Sequence, residues 1–349
     1  CPDAVMFQYV NPMAINTWAI SARYPMIKQV GLCHSVQGTA EELARDLGRD
    51  IADIRYRAGG INHMAFFLSF EGRQSDGSWA DLYPDLRDGY LEGRFPTHTG
   101  ANPRCPNFIR YEVMKHFGLF VTESSEHFAE YVPWFLKSHR PDLVKKFQIP
   151  IDEYPKRCEE QIDAWKDQVV AFREAAHIEV KQSHEYAAQI MNALSTGDTA
   201  IIYGNLANNG FIPQLPDGAA VEVPCLVDAN GIHPSSVPDI PPQFIALMRT
   251  NLNVQDLTVQ ALLEENRDHI YHAAMLEGKI GWLWAETQHL WYVHLAKRNT
   301  GLRWASALVL KLLDIAWDQW DHRISIATAL QDSADAQRIS AAVEEELHQ

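Results

Sequence analysis

Short apolar runs alternate with amphipathic stretches along the amino-terminal part of the chain. Four of these runs are typical of β-strands, at residues 4–10, 28–33, 55–58 and 64–71. Residues 17–24 and 39–47 have helical spacing instead, and Thr39-Ala40-Glu41-Glu42 has the form of a capping box that would begin the second helix. This alternation predicts an α/β domain whose motifs lie at strand ends, where such sheets bind their ligands.

The middle and later parts of the chain change pattern twice. Residues 108–121 have helical spacing, and residues 151–176 predict a charged amphipathic helix with tryptophan and valine on one face; both are expected to be scaffold. Residues 199–239 are richer in β-branched residues, glycine and proline and predict a small antiparallel sheet. Residues 242–275 return to helix. A mixed second domain is therefore expected to cover the strand ends.

Composition narrows the class of protein. The 349 residues are 46% apolar and 21% charged, enough for one large globular domain or two modest ones. The net charge of −15 disfavours nucleic acid and anionic membranes as partners. It is compatible with a neutral substrate such as a sugar, although simple solubility explains it equally well. With no long apolar run and no signal-like amino end, we expect a soluble, cytoplasmic protein that does not enter a membrane.

Cysteine and histidine supply the candidate chemistry. The five cysteines, at positions 1, 33, 105, 158 and 225, are odd in number and widely spaced, which predicts reduced thiols. Two of the apolar runs end in polar motifs, Gly-Leu-Cys-His-Ser at residues 31–35 and Gly-Gly-Ile-Asn-His-Met at residues 59–64. Cys33 and His63 could together form a soft metal platform with open coordination positions. The plainer alternative is a buried free cysteine beside a hydrogen-bonded histidine.

The motifs that accompany this pair point to a family. In order along the chain they are Tyr-Val-Asn-Pro-Met-Ala (9–14), Val-Thr-Glu-Ser-Ser-Glu-His-Phe-Ala-Glu-Tyr (121–131), Tyr-Pro-Lys-Arg-Cys (154–158), Ile-Tyr-Gly-Asn (202–205) and Val-Glu-Val-Pro-Cys-Leu-Val-Asp-Ala-Asn-Gly-Ile (221–232). From residue 1 to about Met275, the chain resembles the family-4 glycoside hydrolases, and within them the α-galactosidases, or melibiases. Several long blocks in the same order make the resemblance specific.

The resemblance implies a fold and a reaction. The expected fold is α/β: the remnant of a Rossmann-like sheet joined to a mixed helical and antiparallel substrate domain of the lactate-dehydrogenase-like C-terminal type. The implied activity is hydrolysis of an unphosphorylated α-galactoside such as melibiose, with NAD and Mn²⁺ as cofactors. The implied steps are oxidation at C3, elimination after loss of the C2 proton, addition of water and reduction, with Mn²⁺ chelating O2 and O3. Family members also suggest a homo-oligomer.

Residue roles are carried over by position. Cys33 and His63 match the family's metal ligands, and Asn11 matches an asparagine that touches substrate next to the cofactor. Asn62 is a candidate contact to the sugar or to a metal-bound water. His34 follows the metal cysteine and is the candidate general acid, with a hydrogen-bonded supporting role as the alternative.

The base that removes the C2 proton is left open by the resemblance, because related enzymes use tyrosine in some branches and aspartate in others. The matching segment of this chain offers five candidates, Glu123, Glu126, His127, Glu130 and Tyr131, and Glu123 and His127 rank first. Three further side chains are candidate sugar or phosphate contacts that could equally form structural ion pairs or contacts: Arg110, Arg157 and Asn205.

The chain also departs from the family pattern. It has no G-x-G-x-x-G turn to cradle the pyrophosphate of NAD, and about one mononucleotide-binding domain, ~140 residues, is expected to be missing. We therefore expect a dinucleotide-binding remnant at 1–58, a metal and substrate domain at 59–275, and a divergent helical tail at 276–349 that holds six of the ten tryptophans. Activity of this chain is expected to be low or nil. The alternative is a non-catalytic remnant that acts as an interaction protein.

Overall fold

A computed structural model describes residues 4–95, 106–137, 140–151, 153–174 and 185–277. Within these ranges eight strands form one mixed sheet in the order β1-β2-β6-β7-β3-β4-β5, with β8 also paired to β7. The strands are β1 (Val5–Gln8), β2 (Lys28–Leu32), β3 (Ile54–Ile61), β4 (Met64–Arg73), β5 (Trp79–Asp81), β6 (Ala200–Ala207), β7 (Ala220–Asp228) and β8 (Gly231–Pro234). The helices are α1 (Met13–Arg23), α2 (Ser35–Asp46), α3 (Tyr83–Leu91), α4 (Phe108–Phe117), α5 (Ser125–Tyr131), α6 (Pro141–Lys146), α7 (Glu153–Glu174), α8 (Tyr186–Thr196), α9 (Pro242–Glu264) and α10 (Arg267–Glu277).

The amino-terminal β1-α1-β2 unit brings two strand ends to one edge. β1 and β2 are parallel, with Val5 opposite Lys28, and α1 buries Ala14 and Trp18 in the core. Because the strands run in the same direction, the segments that follow their carboxyl ends lie at the same edge of the sheet. The first of these segments contains Asn11, and the second contains Cys33 and His34.

The rest of the sheet is antiparallel and places a polar pair in its interior. β2 pairs with β6, β6 with β7, and β7 with β3. In this register Gly31, Asn205, Glu222 and Gly60 form one row across four strands. Glycine is required at both ends, since a Cβ on Gly31 would overlap α1 side chains and one on Gly60 would lie 2.6 Å from a backbone oxygen. The polar pair, Asn205 and Glu222, therefore lies between two positions at which only glycine fits.

The β3–β4 hairpin contains a bulge near the site. The partner of Arg57 is Ser69, but the partner of the next residue, Ala58, is Phe67. Leu68 is therefore the extra residue on β4. The ladder then continues to the pair Ile61 and Met64, which leaves a two-residue turn between the strands.

Most predicted elements are found, with two changes near the site. All four predicted strands exist, but the second helix, α2, begins at Ser35 rather than Thr39. The proposed capping box is therefore wrong: Thr39 lies inside the helix, where its hydroxyl donates to the Thr122 carbonyl at 2.6 Å. The helix predicted over 108–121 ends at Phe117, because Gly118 adopts a left-handed φ of 97°. The chain then becomes extended and pairs with β4.

The later elements also agree in type with the prediction. Residues 199–239 contain β6, β7 and β8, whereas 242–275 form two helices instead of one, separated where Glu265 has a φ of 54°. Helix α7 forms as expected, but most of its large apolar residues are exposed. Within the described ranges no helix is long and apolar enough to span a bilayer. The tryptophan-rich tail lies outside those ranges from residue 278 onward.

Candidate active site

Three side chains with metal-ligating atoms converge from separate segments of the chain. Cys33 follows β2, His63 lies in the turn between β3 and β4, and Glu123 lies in the extended segment before α5. One ligand atom from each lies within 4.8 Å of the other two, and His63 Nε2 is 3.2 Å from a carboxylate oxygen of Glu123. The predicted convergence of Cys33 and His63 is thus present. Glu123, ranked at the sequence level as a base, belongs to the same cluster.

Local geometry holds the His63 ring in place. His63 has a φ of 63°, in the left-handed region that non-glycine residues rarely occupy and that is concentrated at functional sites. Its Nδ1 lies 3.2 Å from the Tyr131 hydroxyl, and its ring stacks on that of His127 with centroids 5.6 Å apart. Hydrogen bonding at Nδ1 leaves Nε2 directed at the cluster, as is usual for metal-binding histidines.

Electrostatics differ among the three groups. Burial, followed by the nearby carboxyls of Glu222 and Glu123, raises the pKa of the Cys33 thiol to about 12. Burial also lowers the pKa of His63, against the attraction of Glu123. For Glu123, burial opposes ionisation, but His63 and the hydrogen bond from the Ser124 amide outweigh it, so its pKa is lowered. The cluster therefore pairs a neutral thiol with a carboxylate, and a cation would stabilise the thiolate.

Glu222 is the residue that the sequence reasoning missed. It is fully buried, accepts a hydrogen bond of 3.1 Å from Asn205 Nδ2, and its second oxygen has no hydrogen-bond partner among the described residues. Burial raises its pKa to about 8. The available signal was a single acidic residue inside the apolar run of β7, within a motif already noted for its resemblance.

A polar cleft of about 370 Å³ lies beside the cluster. Six of the predicted residues line it, namely His34, Arg110, Glu123, Glu126, His127 and Arg157. The side chain of His34 is 73% exposed, and its Nδ1 lies 3.6 Å from Glu185. His127 hydrogen-bonds Glu130 at 3.2 Å, which raises its pKa against the effect of burial. The cleft thus combines two imidazoles, His34 and His127, with the carboxylate of the cluster.

Both arginines of the cleft are held in ion pairs. Arg110 is buried and contacts the Glu42 carboxylate, and it also donates to the Thr39 hydroxyl at 2.7 Å. Arg157 contacts Glu126 at 2.5 Å and Glu153 at 3.3 Å. The ion-pair alternative considered for these residues is therefore present in the structure, and neither arginine brings an uncompensated charge to the cleft.

Three predicted contacts lie outside the residues that line the cleft: Asn205, which donates to Glu222, and Asn11 and Asn62. Asn11 is exposed after β1, and its side-chain oxygen accepts a hydrogen bond of 3.3 Å from the Met13 amide. Asn62 is buried next to His63, and its Nδ2 has no hydrogen-bond partner within the described part of the chain. A buried donor without a partner is costly, so Asn62 is suited to a ligand that supplies an acceptor beside His63.

Fold and site together define an α/β protein with a candidate divalent-metal centre beside a polar cleft. Residues 1–49 match the family 4 glycosyl hydrolases, and residues 58–279 match the C-terminal domain of that family. The chain belongs to family 4 of the glycosyl hydrolases.

Relatives and solved structures agree with this membership. The chain is 41% identical to an α-galactosidase of Bacillus subtilis (strain 168), over 79% of this chain and 61% of the relative. It is 31% identical to an α-galactosidase of Rhizobium meliloti (strain 1021), over 80% and 56%. The chain therefore spans about three fifths of these relatives.

Solved structures show the same fold at low sequence identity. A 6-phospho-α-glucosidase from gut microorganisms, in complex with NAD and Mn²⁺, matches with a TM-score of 0.62 and 20% identity, over 80% of this chain and 63% of that one. A 6-phospho-β-glucosidase from Thermotoga maritima, with manganese, NAD⁺ and glucose-6-phosphate, gives 0.57 and 19%, over 78% and 60%. The expected α/β fold with a family-4 C-terminal domain is confirmed.

Proposed function

We propose that this protein is an α-galactosidase that requires Mn²⁺ and NAD, and that its described residues form the metal and substrate part of the active site. The observation that carries the proposal is the convergence of Cys33, His63 and Glu123 beside a polar cleft. The names of the two α-galactosidase relatives support the substrate class.

The donor set fits a divalent transition metal. Sulfur, imidazole nitrogen and carboxylate oxygen together suit a borderline cation and leave positions open for substrate. When bound, such an ion acts as a Lewis acid toward the oxygens of a sugar. Cys33, His63 and Glu123 would hold it, and Tyr131 would keep the His63 ring oriented. We assign Glu123 as a metal ligand rather than as the base, because His63 and the Ser124 amide already contact its carboxylate.

Proton transfer is then assigned to the two histidines of the cleft. His34, directly after Cys33 and open to solvent, would protonate the leaving oxygen. His127 would remove the proton from the sugar carbon. Its ring stacks on that of His63, and its hydrogen bond to Glu130 raises its pKa, which makes it a stronger base. Each imidazole lies at the cleft wall, one just before α2 and one on α5, so they approach a bound sugar from different elements.

The charges of the cleft favour an uncharged substrate. Recognition of a phosphate or carboxylate calls for an arginine or lysine whose donors are free to form charge-assisted bonds. Arg110 and Arg157 are already paired with Glu42 and Glu126. We therefore propose that Arg110 shapes the wall that contacts the sugar, while Asn11 and Asn62 supply amide contacts to its hydroxyls.

NAD is proposed from the family and its cofactor-containing neighbours. The sequence has no G-x-G-x-x-G turn, so these residues do not supply a pyrophosphate cradle, and Asn11 is the contact that we assign to the nicotinamide end.

Metal binding and turnover test the proposal separately. Calorimetric titration of the chain with MnCl₂ should show one site, abolished by Cys33→Ser or His63→Ala and retained in Cys158→Ser, a thiol outside the cluster. Hydrolysis of p-nitrophenyl α-galactoside should depend on Mn²⁺, NAD⁺ and a thiol reductant. Unchanged Mn²⁺ affinity in both cluster variants would overturn the metal assignment. Turnover that needs neither cofactor would overturn the proposed mechanism.

A further inference from the structure

Helix α2 presents one face to the cleft, and a glycine lies in the middle of that face. The residues of this face are Ser35, Gly38, Thr39 and Glu42, and all of them line the cleft. Their steps of three and four residues place them on one side of the helix. Glycine weakens the interior of a helix, because it loses more conformational freedom than any other residue when it is ordered. A glycine at this position therefore calls for a compensating reason.

Neither the backbone nor the packing of the described residues supplies that reason. The helix is regular at this point, and the Gly38 amide donates to the His34 carbonyl at 3.1 Å. A Cβ built on Gly38 would meet no atom of the described chain within 4 Å, whereas one on Gly31 would overlap side chains of α1. Alanine would therefore fit at position 38. Glycine keeps open a space that belongs to the cleft.

The walls around this space are polar, and their buried charges are paired. Arg110 and Glu42 form a buried ion pair. Thr122 is fully buried and lines the cleft, and its Oγ1 has no hydrogen-bond partner within the ranges that the structure describes. The Thr39 hydroxyl donates to the Thr122 carbonyl at 2.6 Å, which holds Thr122 beside the residue that follows Gly38. Because a buried hydroxyl without a partner is costly, this end of the cleft is suited to a ligand that hydrogen-bonds it.

The open space lies about one helical turn beyond the histidine that we assign as the proton donor to the leaving oxygen. His34 is the N-cap residue of α2, and Gly38 lies four residues further, about 6 Å along the helix axis at 1.5 Å per residue. Cys33 of the metal cluster directly precedes His34, so the cluster, the proposed acid and the open space follow one another in that order. A group that leaves the sugar at His34 would therefore extend over Gly38.

We infer that Gly38 forms the floor of a subsite for the leaving group, and that this subsite takes the second ring of a disaccharide. The inference rests on the proposed function, since it extends the same site from the sugar at the metal to the group attached to that sugar. Paired charges on the walls favour an uncharged occupant. A bare stretch of helix and the Thr122 hydroxyl suit a ring that carries hydroxyl groups. The cleft volume of about 370 Å³ lies in the range of small-molecule sites.

Calorimetric titration of the full chain with two sugars tests the inference without requiring turnover. MnCl₂ is present and NAD⁺ is left out, so that the sugars are bound and not hydrolysed. Methyl α-galactoside reaches only the site at the metal, whereas melibiose adds a second ring. We expect the wild-type chain to bind melibiose about tenfold more tightly than methyl α-galactoside. Gly38→Leu fills the open space and should remove most of this preference. Thr122→Val keeps the shape of the side chain but loses its hydroxyl, and should reduce the preference about threefold.

Gly38→Ala separates an effect on binding from an effect on folding. Alanine is the better helix former, so the urea midpoint of this variant should lie above that of the wild-type chain. Its preference for melibiose should nevertheless fall about threefold or more, because its methyl group enters the space kept for the second ring. Arg45→Leu is the matched control, since Arg45 is exposed on the same helix and is not among the residues that line the cleft. This control should keep the wild-type preference.

The outcomes distinguish the subsite from the site at the metal. A preference for melibiose that survives in Gly38→Leu would overturn the inference, because the second ring would then bind elsewhere. A Gly38→Ala chain that is less stable than the wild type would also overturn it, since a segment of the chain itself would then occupy the space. Binding of both sugars that requires Cys33 but shows no preference for melibiose would contradict the inference alone. If neither sugar binds, the proposed function fails together with the inference.

Discussion

Replacing Glu222 by glutamine removes an ionisable group from the row that crosses the sheet while keeping the shape of its side chain. The carboxyl is fully buried, and its pKa is raised from the usual 4.5 to about 8. The folded protein therefore keeps this proton at pH values where the unfolded chain has released it. Between pH 4.5 and 8 the unfolded state gains free energy from ionisation that the folded state cannot gain.

The size of the effect follows from the two pKa values. A rise from 4.5 to about 8 corresponds to roughly 5 kcal/mol, at ~1.4 kcal/mol per pKa unit. The wild-type protein should thus lose about 3 kcal/mol relative to Glu222→Gln between pH 5 and pH 7, and the difference should level off above pH 8. Stability should rise as pH falls through this window, opposite to the behaviour of a carboxylate held in an ion pair.

Urea denaturation of both proteins from pH 5 to 9, followed by circular dichroism, measures the difference directly. A chelator should be present, because a cation bound at Cys33 would favour the ionised carboxylate. Asp217→Asn, at an exposed position, is the control and should give a flat difference. Parallel stability curves for wild type and Glu222→Gln would refute the reasoning, since Glu222 would then titrate alike in both states.

Three further substitutions test other parts of the site. Gly31→Ala should destabilise the protein by about 1–3 kcal/mol in urea titrations, because its Cβ would overlap α1 side chains; unaltered stability would contradict the packing of this row. Tyr131→Phe removes the hydrogen bond to His63 and should weaken Mn²⁺ binding about 10- to 100-fold by calorimetry, and an unchanged affinity would mean that the ring needs no such support. Arg110→Met should cost about 3–5 kcal/mol, because Glu42 is left buried without its cation. Adding Glu42→Leu should recover much of that loss, and failure to recover it would show that the pair is not the cause.

The sequence predicted Cys33 and His63 as a pair because both follow apolar runs that end in polar motifs. The reason they meet was not predicted: β2 and β3 run in opposite directions, and their carboxyl ends approach each other at the row that contains Gly31 and Gly60. The sequence was not sufficient to separate the roles of the acidic residues. Glu123 ranked as a base because its segment is rich in candidates, and only the 3.2 Å contact with His63 places it in the cluster. Glu222 was passed over because β7 is largely buried on both of its faces. Such a strand has no alternation of apolar and polar residues that would show on which side a carboxyl lies.

The sequence pattern also did not determine where α2 begins or whether the apolar face of α7 is covered. Thr39 begins a good capping motif, yet the helix extends back to Ser35, since tertiary contacts of the Thr39 hydroxyl with the Thr122 carbonyl replace a capping role. The amphipathic period of α7 predicted a helix with an apolar face, but a period does not say what covers that face. Trp165 is exposed in a helix that the pattern alone would assign to scaffold.

The bulge at Leu68 makes the proposed metal centre sensitive to how β3 and β4 are aligned. In a strand pair, a shift of one residue moves every side chain to the opposite face. Pairing without the bulge would place Ala58 opposite Leu68 instead of Phe67, and every pair from there to the turn that holds His63 would shift by one residue. Such a protein could keep its sheet and its helices while His63 loses its position beside Cys33, so Mn²⁺ affinity would distinguish the native alignment from its nearest misfolded neighbour.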